Sequence, residues 1–402
     1  MLLLAATGAA IAGPLTAGVA TAKITPAAPG QFLAGYDSNR RAETVHDDVW
    51  CRAVALGDGQ QTVVLAVCDL LGFMYPDALE MRSSVEGVPA DHVVLACTHV
   101  HSAPDVIGLW GPSPAQSGVD PAYLAFVKAQ VTRCLNDAVR AMAPAQIGFA
   151  SGISGPHTSI NSNAPEVNDK AVDVMVVRGA NGELLATLVN WACHPEVLNT
   201  PSRAVTSDLS HYLREELEGR VGGTALFFNG ALGGMVTADC TAQTFAEAER
   251  IGRSVGATAA ELVAQAPMAA DLKISVASKQ IEVPLANPAF GLAFQAGVIR
   301  RPEKSLERLR TEVAAFSIGP AQFATCPGEA LPAVGLTAKG MMPGRPTFFF
   351  AVAQDELGYI LPPEYFPLEL YDYEVSMSVG PQVAPTVLAA LAELLPQVPP
   401  AR

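Results

Sequence analysis

Two apolar runs constrain this chain more than anything else in it. Thr62–Cys68 (TVVLAVC) and His92–Cys97 (HVVLAC) are rich in β-branched residues and do not alternate with polar ones. A strand that is apolar on both faces must be covered on both, which belongs to buried sheets with elements on either side. Pro76–Glu86 lies between the runs with helical spacing, and Pro121–Met142 follows them as a second helix without an internal breaker. This β-α-β-α order predicts an α/β protein with mixed β-sheets and flanking helices. Gly18–Thr25 alternates like a first strand. Ala171–Arg178 and Leu184–Trp191 read as neighbouring strands joined by a Gly-Ala-Asn-Gly turn. Ser207–Arg220 is expected to be a helix capped by Ser207 or Asp208, and Thr224–Asn229 a strand ending in a Gly-rich turn. Phe245–Gln265 and Val383–Leu395 read as helices, and residues 271–285, 310–325 and 347–354 as strands. No repeat or low-complexity linker interrupts the chain, so one domain over residues 16–402 is expected, with a loose Pro-rich tail after Leu395.

The 402 residues are 50% hydrophobic and 16% charged, enough apolar material for a large core. A net charge of -14 is the wrong sign for tracking phosphates or an anionic membrane surface, which argues against nucleic-acid and membrane-surface partners. The stretch from Met1 to Ala22 carries no charge and starts Met-Leu-Leu-Leu. It reads as a truncated export signal over residues 1–15 ending near Pro14, hence a periplasmic or secreted protein; the alternative is an apolar N-terminus on a cytoplasmic one. Gly8, Gly13, Pro14 and Gly18 interrupt it too often for a membrane span. The seven cysteines form no C-x-x-C pair, and Cys68, Cys97 and Cys193, each ending an apolar run, read as small packing residues.

The chemistry-bearing residues lie at strand ends. Cys97-Thr-His99-Val-His101-Ser-Ala-Pro104 follows directly on a buried strand, and two histidines at i, i+2 there can face one side of a cleft. Imidazole is the commonest protein ligand for zinc. Asn190-Trp-Ala-Cys-His194-Pro195 repeats the arrangement after another strand, where open α/β sheets place their ligands. After a third strand, Phe227-Phe-Asn229-Gly-Ala-Leu-Gly233-Gly234-Met235 lets the backbone come close to a ligand or ion. Taken singly, each motif also reads as loop or turn structure; together they point to a shared site.

In that order along most of its length, the chain resembles the catalytic domain of the neutral/alkaline, non-lysosomal ceramidases. The resemblance rests on Ala17–Pro26 with Gly35-Tyr36, His46-Asp-Asp-Val-Trp-Cys-Arg-Ala53, Ala66-Val-Cys-Asp69-Leu, the Thr-His-x-His-Ser-x-Pro and Asn-Trp-x-x-His-Pro elements, Cys326-Pro-Gly328-Glu329 and Gly358-Tyr359-Ile360. It implies a zinc held by His99, His194, Glu329 and Tyr359, with His101 beside the metal to polarise a carbonyl or shuttle a proton. Two imidazoles and a carboxylate are a catalytic zinc set that leaves room for water, and zinc lowers the pKa of that water from about 16 toward roughly 7. Tyr359 is expected either to ligate or to donate a hydrogen bond to the oxyanion. Asp69 and Asp208 are expected either to orient the ligating histidines or to cap turns and helices.

The chain departs from the family at its nucleophile. Gly233-Gly234-Met235-Val236-Thr237 stands where the ceramidases carry Gly-Asp/Asn-x-Ser-Pro, so Val236 replaces the serine and Thr237 is one position off. The family's C-terminal β-sandwich has no counterpart after the Tyr359 motif. Direct attack by zinc-bound water on an amide (N-acyl) bond of a small acyl or lipid-like substrate is the expected chemistry. Another acyl ester or lactone as substrate, an inactive lipid- or carbohydrate-binding homologue, and a thiol enzyme using Cys97 or Cys193 are the alternatives.

Overall fold

The computed structural model describes residues 14–302 and 307–401. The expected export segment falls outside these except for Pro14 and Leu15, and Leu15 is already buried in the core.

The principal sheet is built from β1 (Thr16–Lys23), β2 (Trp50–Gly57), β3 (Thr62–Cys68), β4 (Val93–Cys97), β5 (Ala143–Ile153), β6 (Ala171–Gly179), β7 (Leu184–Trp191) and β8 (Thr224–Asn229). Its order is β8-β7-β6-β5-β1-β2-β3-β4, with Met268–Ala269 added alongside β5. The pairs β3/β4 and β7/β8 are parallel and the other neighbours antiparallel. The helices in chain order are α1 (Tyr75–Ser83), α2 (Pro121–Arg140), α3 (Leu209–Val221), α4 (Phe245–Gln265), α5 (Pro288–Gln295), α6 (Pro332–Met341), α7 (Asp372–Ser376) and α8 (Val383–Leu394), and one face of the sheet packs on α2, α3 and α4. The other face packs on a four-stranded sheet of β9 (Ile274–Pro284), β10 (Arg308–Ile318), β11 (Ala321–Thr325) and β12 (Thr347–Phe350). Helix α8 (Val383–Leu394) covers the outer face of that second sheet. The result is a four-layer αββα stack, consistent with strands that are apolar on both faces.

Aromatic rings glue the two sheets. Phe316 stacks on Phe323, and Phe323 on Phe348, each with centroids 4.4 Å apart; Phe228 and Phe350 stack at 4.4 Å across the sheets. Two helix starts follow their local chemistry. Asp120 caps α2 with Pro121 in the first turn, and Asp208 caps α3. The stretch 310–325, expected as one strand, is a hairpin: Gly319 has φ +54°, which breaks β10 from β11.

Topology alone would separate the two parallel pairs. They occupy opposite edges of the sheet, and the antiparallel steps between them make their strands run oppositely. Seven steps of right-handed twist at about 20–25° each turn the edges through roughly 150° relative to one another. The carboxyl ends of β4 and β8 consequently meet, and the Asn229 amide Nδ2 donates to Thr98 O at 2.9 Å. Residues 349–354 sew the meeting point together. The Phe349 N–H donates to Asn190 Oδ1 on β7, Ala351 N to Asn229 O on β8, Cys97 N to Val352 O, and Gln354 N to Leu95 O on β4.

Candidate metal centre

The histidine loops begin where β4 and β7 end, and one side chain fixes both. Asn229 Nδ2 donates to Thr98 O and to Cys193 O at 2.9 and 2.8 Å, while its Oδ1 accepts from Cys193 N at 3.0 Å. His99 adopts φ +65°, an uncommon conformation for a non-glycine residue and one that costs about 1–3 kcal/mol unless its surroundings impose it. That turn lets both His99 and His101 reach the same space.

Three imidazoles gather there. His99, His101 and His194 offer ring nitrogens within 4.8 Å of one another, all three buried. Ring centroids are 5.0 Å apart for His99–His101 and His99–His194, and 5.6 Å for His101–His194. His99 Nδ1 lies 2.9 Å from Leu71 O and His194 Nδ1 2.9 Å from Val236 O. A carbonyl can only accept, so each Nδ1 carries a proton, and each Nε2 is the ring atom turned inward. Both Nε2 atoms face one oxygen of Glu329: Oε2 is 3.1 Å from His194 and 3.3 Å from His99. Burial raises the Glu329 pKa, but the His99 and His194 rings outweigh it and hold the carboxyl well below its usual range.

A short parallel bridge delivers the fourth expected residue, with Glu329 in register with Tyr359. The Tyr359 ring lies 6.4 Å from that of His194, and burial together with the Glu329 charge pushes its phenol well above the ordinary value. The structure therefore brings His99, His194, Glu329, Tyr359 and His101 to one place. Two inward-turned Nε2 atoms and a carboxylate oxygen suit zinc, which would replace the proton they share.

His101 differs from the other two histidines. Neither ring nitrogen has a hydrogen-bond partner, and its closest acid is Glu196, with Oε2 3.5 Å from Nδ1. Burial, then the neighbouring His99 and His194, push its pKa well below the ordinary histidine range, so it stays neutral. Gly35 packs on its face; a Cβ there would lie 2.4 Å from His101 Cγ. Tyr36 meets the ring edge-on at 5.0 Å.

Asp69 and Asp208 are engaged elsewhere. Asp69 Oδ1 pairs with Arg214 Nη1 at 2.6 Å and Oδ2 accepts from Trp50 N at 2.9 Å, tying β2 to α3. Asp208 accepts from Leu209 N and Leu198 N at 2.6 and 3.2 Å. Main-chain carbonyls, not these carboxylates, orient the two imidazoles, because the loops close over the rings tightly enough for backbone oxygens to reach Nδ1. Thr237 lines an open bay together with His101 and Tyr359. The Val236 side chain is buried, while its carbonyl accepts from both His194 Nδ1 and His194 N.

Two acids were not anticipated. Glu196 follows His194-Pro195 and stands at the mouth of the site. Glu356 is buried beside it, Oε2 4.0 Å from His99 Nδ1, and burial followed by the Glu329 charge raises its pKa well above the usual range. Their sequence signals, an acid two after His194 and an Asp-Glu pair just before Gly358-Tyr359, have no spacing pattern that announces a site. Burial likewise raises the Cys97 and Cys193 thiols, which removes support from a thiol nucleophile.

No protein-family model matches the chain, and no curated protein matches it by sequence. Solved structures match it in fold. The neutral ceramidase from Pseudomonas aeruginosa is similar with a TM-score of 0.78 at 17% identity, over 97% of this chain and 76% of that one. A ceramidase complexed with C2 is similar with a TM-score of 0.79, at the same identity and coverage. The architecture implied by the motifs is thus shared across nearly the whole chain. Among the described residues, no helix is long and apolar enough to cross a membrane.

Proposed function

We propose that the chain is a zinc-dependent hydrolase of an amide (N-acyl) bond, with His99, His194, Glu329 and Tyr359 holding the ion. The observation that carries this reading is the convergence of two inward-facing Nε2 atoms on a single oxygen of Glu329, 3.1 and 3.3 Å away. A zinc ion there supplies Lewis acidity and makes a reactive water available near neutral pH. The fold shared with ceramidases supports an acyl amide as the substrate.

The remaining steps fall to this chain's own side chains. His101 is neutral and unpartnered, so a ring nitrogen accepts the proton of the attacking water and delivers it to the amide nitrogen as the C–N bond breaks. Tyr359 either completes the ligand set or, as a phenol, donates a hydrogen bond to the carbonyl oxygen and stabilises the negative charge that grows there. Val236 in place of a serine leaves water as the nucleophile.

Elemental analysis tests the reading. The purified protein should hold near one zinc per chain, and His99→Ala and His194→Ala should each lose zinc and amide hydrolysis together. Hydrolysis that survives both changes would falsify the assignment. A folded, zinc-loaded protein inert to a broad amide and ester panel would favour a binding role instead.

A further inference from the structure

A buried arginine without a counterion lies behind the histidine loops. Arg40 is 1% exposed, and among the described residues its donors reach main-chain carbonyls and no carboxylate. Nη2 donates to Ala34 O at 2.6 Å and to His101 O, and Nη1 donates to Asn199 O at 3.5 Å. The guanidinium carbon lies 4.6 Å from the centre of the Tyr36 ring. Burial lowers its pKa to about 10, so it stays charged at neutral pH. A buried charge that no carboxylate neutralises is costly, and a neutral side chain of similar size avoids the cost. Packing alone therefore does not account for an arginine at this place.

Its contacts surround one ring. The His101 imidazole has no hydrogen bond of its own, so its neighbours alone orient it. Those neighbours are Gly35, whose missing Cβ leaves the space that His101 Cγ fills, and Tyr36, edge-on at 5.0 Å. Arg40 grips the His101 carbonyl, the carbonyl just before Gly35 and the face of Tyr36 at once. Tyr36 is fixed at its other end as well, where its hydroxyl donates to Glu196 O at 2.7 Å. A planar fork with a stacking face can meet three segments in this way, and a lysine ammonium cannot. His99 and His194 do not depend on it, since Leu71 O and Val236 O hold their Nδ1 atoms.

Resting on the amide-hydrolase reading above, we propose that Arg40 is a positioning residue: its guanidinium fixes the His101 ring against Gly35 and Tyr36, at the place from which that ring takes and returns the proton. A ring that no hydrogen bond steers turns about its side-chain bonds once its neighbours move apart. A displacement near 1 Å is enough to cost about 100-fold in rate. The loops themselves stay joined without Arg40, because Ala34 N donates to Ala103 O at 3.0 Å and Asp105 N to Phe32 O at 2.7 Å. Removing the guanidinium therefore frees the ring while the loops and the proposed metal ligands remain.

The test uses the full zinc-loaded chain with Arg40→Met, which keeps the stem and removes the fork, and Arg40→Lys, which keeps the charge alone. Zinc content should stay near one per chain in both. On an N-dodecanoyl amide, Arg40→Met should lower kcat by about 100-fold with KM within about twofold of wild type. Arg40→Lys should fall between them, about tenfold below wild type. An arginine that serves stability alone lowers the unfolding midpoint and leaves turnover per zinc unchanged, and that result overturns the proposal. Zinc lost together with turnover overturns it too. Gly35→Ala acts on the same ring, so adding it to Arg40→Met should cost little more than the worse single change; losses that multiply overturn the assignment. Heteronuclear NMR of labelled histidine rings reads the placement without catalysis. The His101 signals, identified by their absence from His101→Gln, should shift or broaden in both Arg40 variants while those of His99 and His194 hold. Unmoved His101 signals overturn the proposal. If the His101 signals move as expected but wild type cleaves no amide, the hydrolase reading fails and the placement of His101 by Arg40 stands. Should Arg40→Met not fold, Arg40→Lys decides by its turnover and its His101 signals.

Discussion

One methyl group at position 35 has more leverage on this site than most larger changes. Gly35 lies at φ +110° with the His101 ring where a Cβ would stand. Gly35→Ala should therefore displace His101 and lower kcat by about 100-fold, the order that a misplacement near 1 Å costs, while leaving zinc content intact. Zinc analysis alongside steady-state rates separates this from loss of the metal. Thr237→Ala, by contrast, should retain most activity if water attacks directly; a loss of several orders of magnitude would identify a displaced hydroxyl nucleophile. Asp208 gives a pH signature. Burial pushes its carboxyl up to about 7 against the opposing N–H donors. A folded-state value raised above the unfolded value of about 3.9 stabilises fully below pH 4, and the contribution fades as pH rises through 7. Denaturant titrations should show stability falling across that window in wild type and a flatter curve in Asp208→Asn. At this scale the sequence was partly readable. His99 and His194 announce themselves by ending strands, and Glu329 and Tyr359 by their Pro-Gly-Glu and Gly-Tyr-Ile settings. Glu196, Glu356 and Asn229 acquire their roles from neighbours distant in sequence. The same holds for Asp69, whose partner Arg214 is 145 residues away.

Elements are held in place by a few polar side chains buried between them. Asn229 pins both histidine loops, so Asn229→Ala leaves two carbonyls and one N–H without partners. It should cost about 3 kcal/mol in urea unfolding and release zinc although no ligand is touched. Loss of stability with full zinc retention would show that the loops keep their positions unaided. Phe350→Ala removes the ring that stacks on Phe228 across the sheets and should cost about 3–5 kcal/mol. The buried strands β3, β4, β7 and β8 were legible because continuous β-branched runs have few other structures open to them. The strand β5 was not, since Pro144, Gly148 and Gly152 interrupt its pattern; those glycines admit the Met268 segment and Leu262 close to the strand. The helices α5 and Pro332–Met341 are short and begin with proline, so their periodicity had too few turns to register.

For the molecule as a whole, the fold class followed from composition and strand character, but the meeting of opposite sheet edges did not. It depends on accumulated twist and on a second sheet, neither of which leaves a local mark. Removing the ion should be felt globally. A ligand at about 100 times its Kd stabilises by roughly 2.7 kcal/mol. Chelation should therefore lower Tm by about 3 °C, reversed by zinc, as followed by calorimetry. An unchanged Tm on removal of bound zinc would mean that the ion binds the folded and unfolded chains equally, against a site that only the fold assembles.

Residues 349–354 touch β7, β8 and β4 in succession. They act as a seam rather than as one more strand. A chain severed after residue 345 keeps His99, His194 and Glu329 in its larger piece and still has no reason to bring them together. Ion retention therefore becomes a gauge of whether that seam has closed, and such a nicked protein should regain its metal when the missing segment is supplied as a separate peptide.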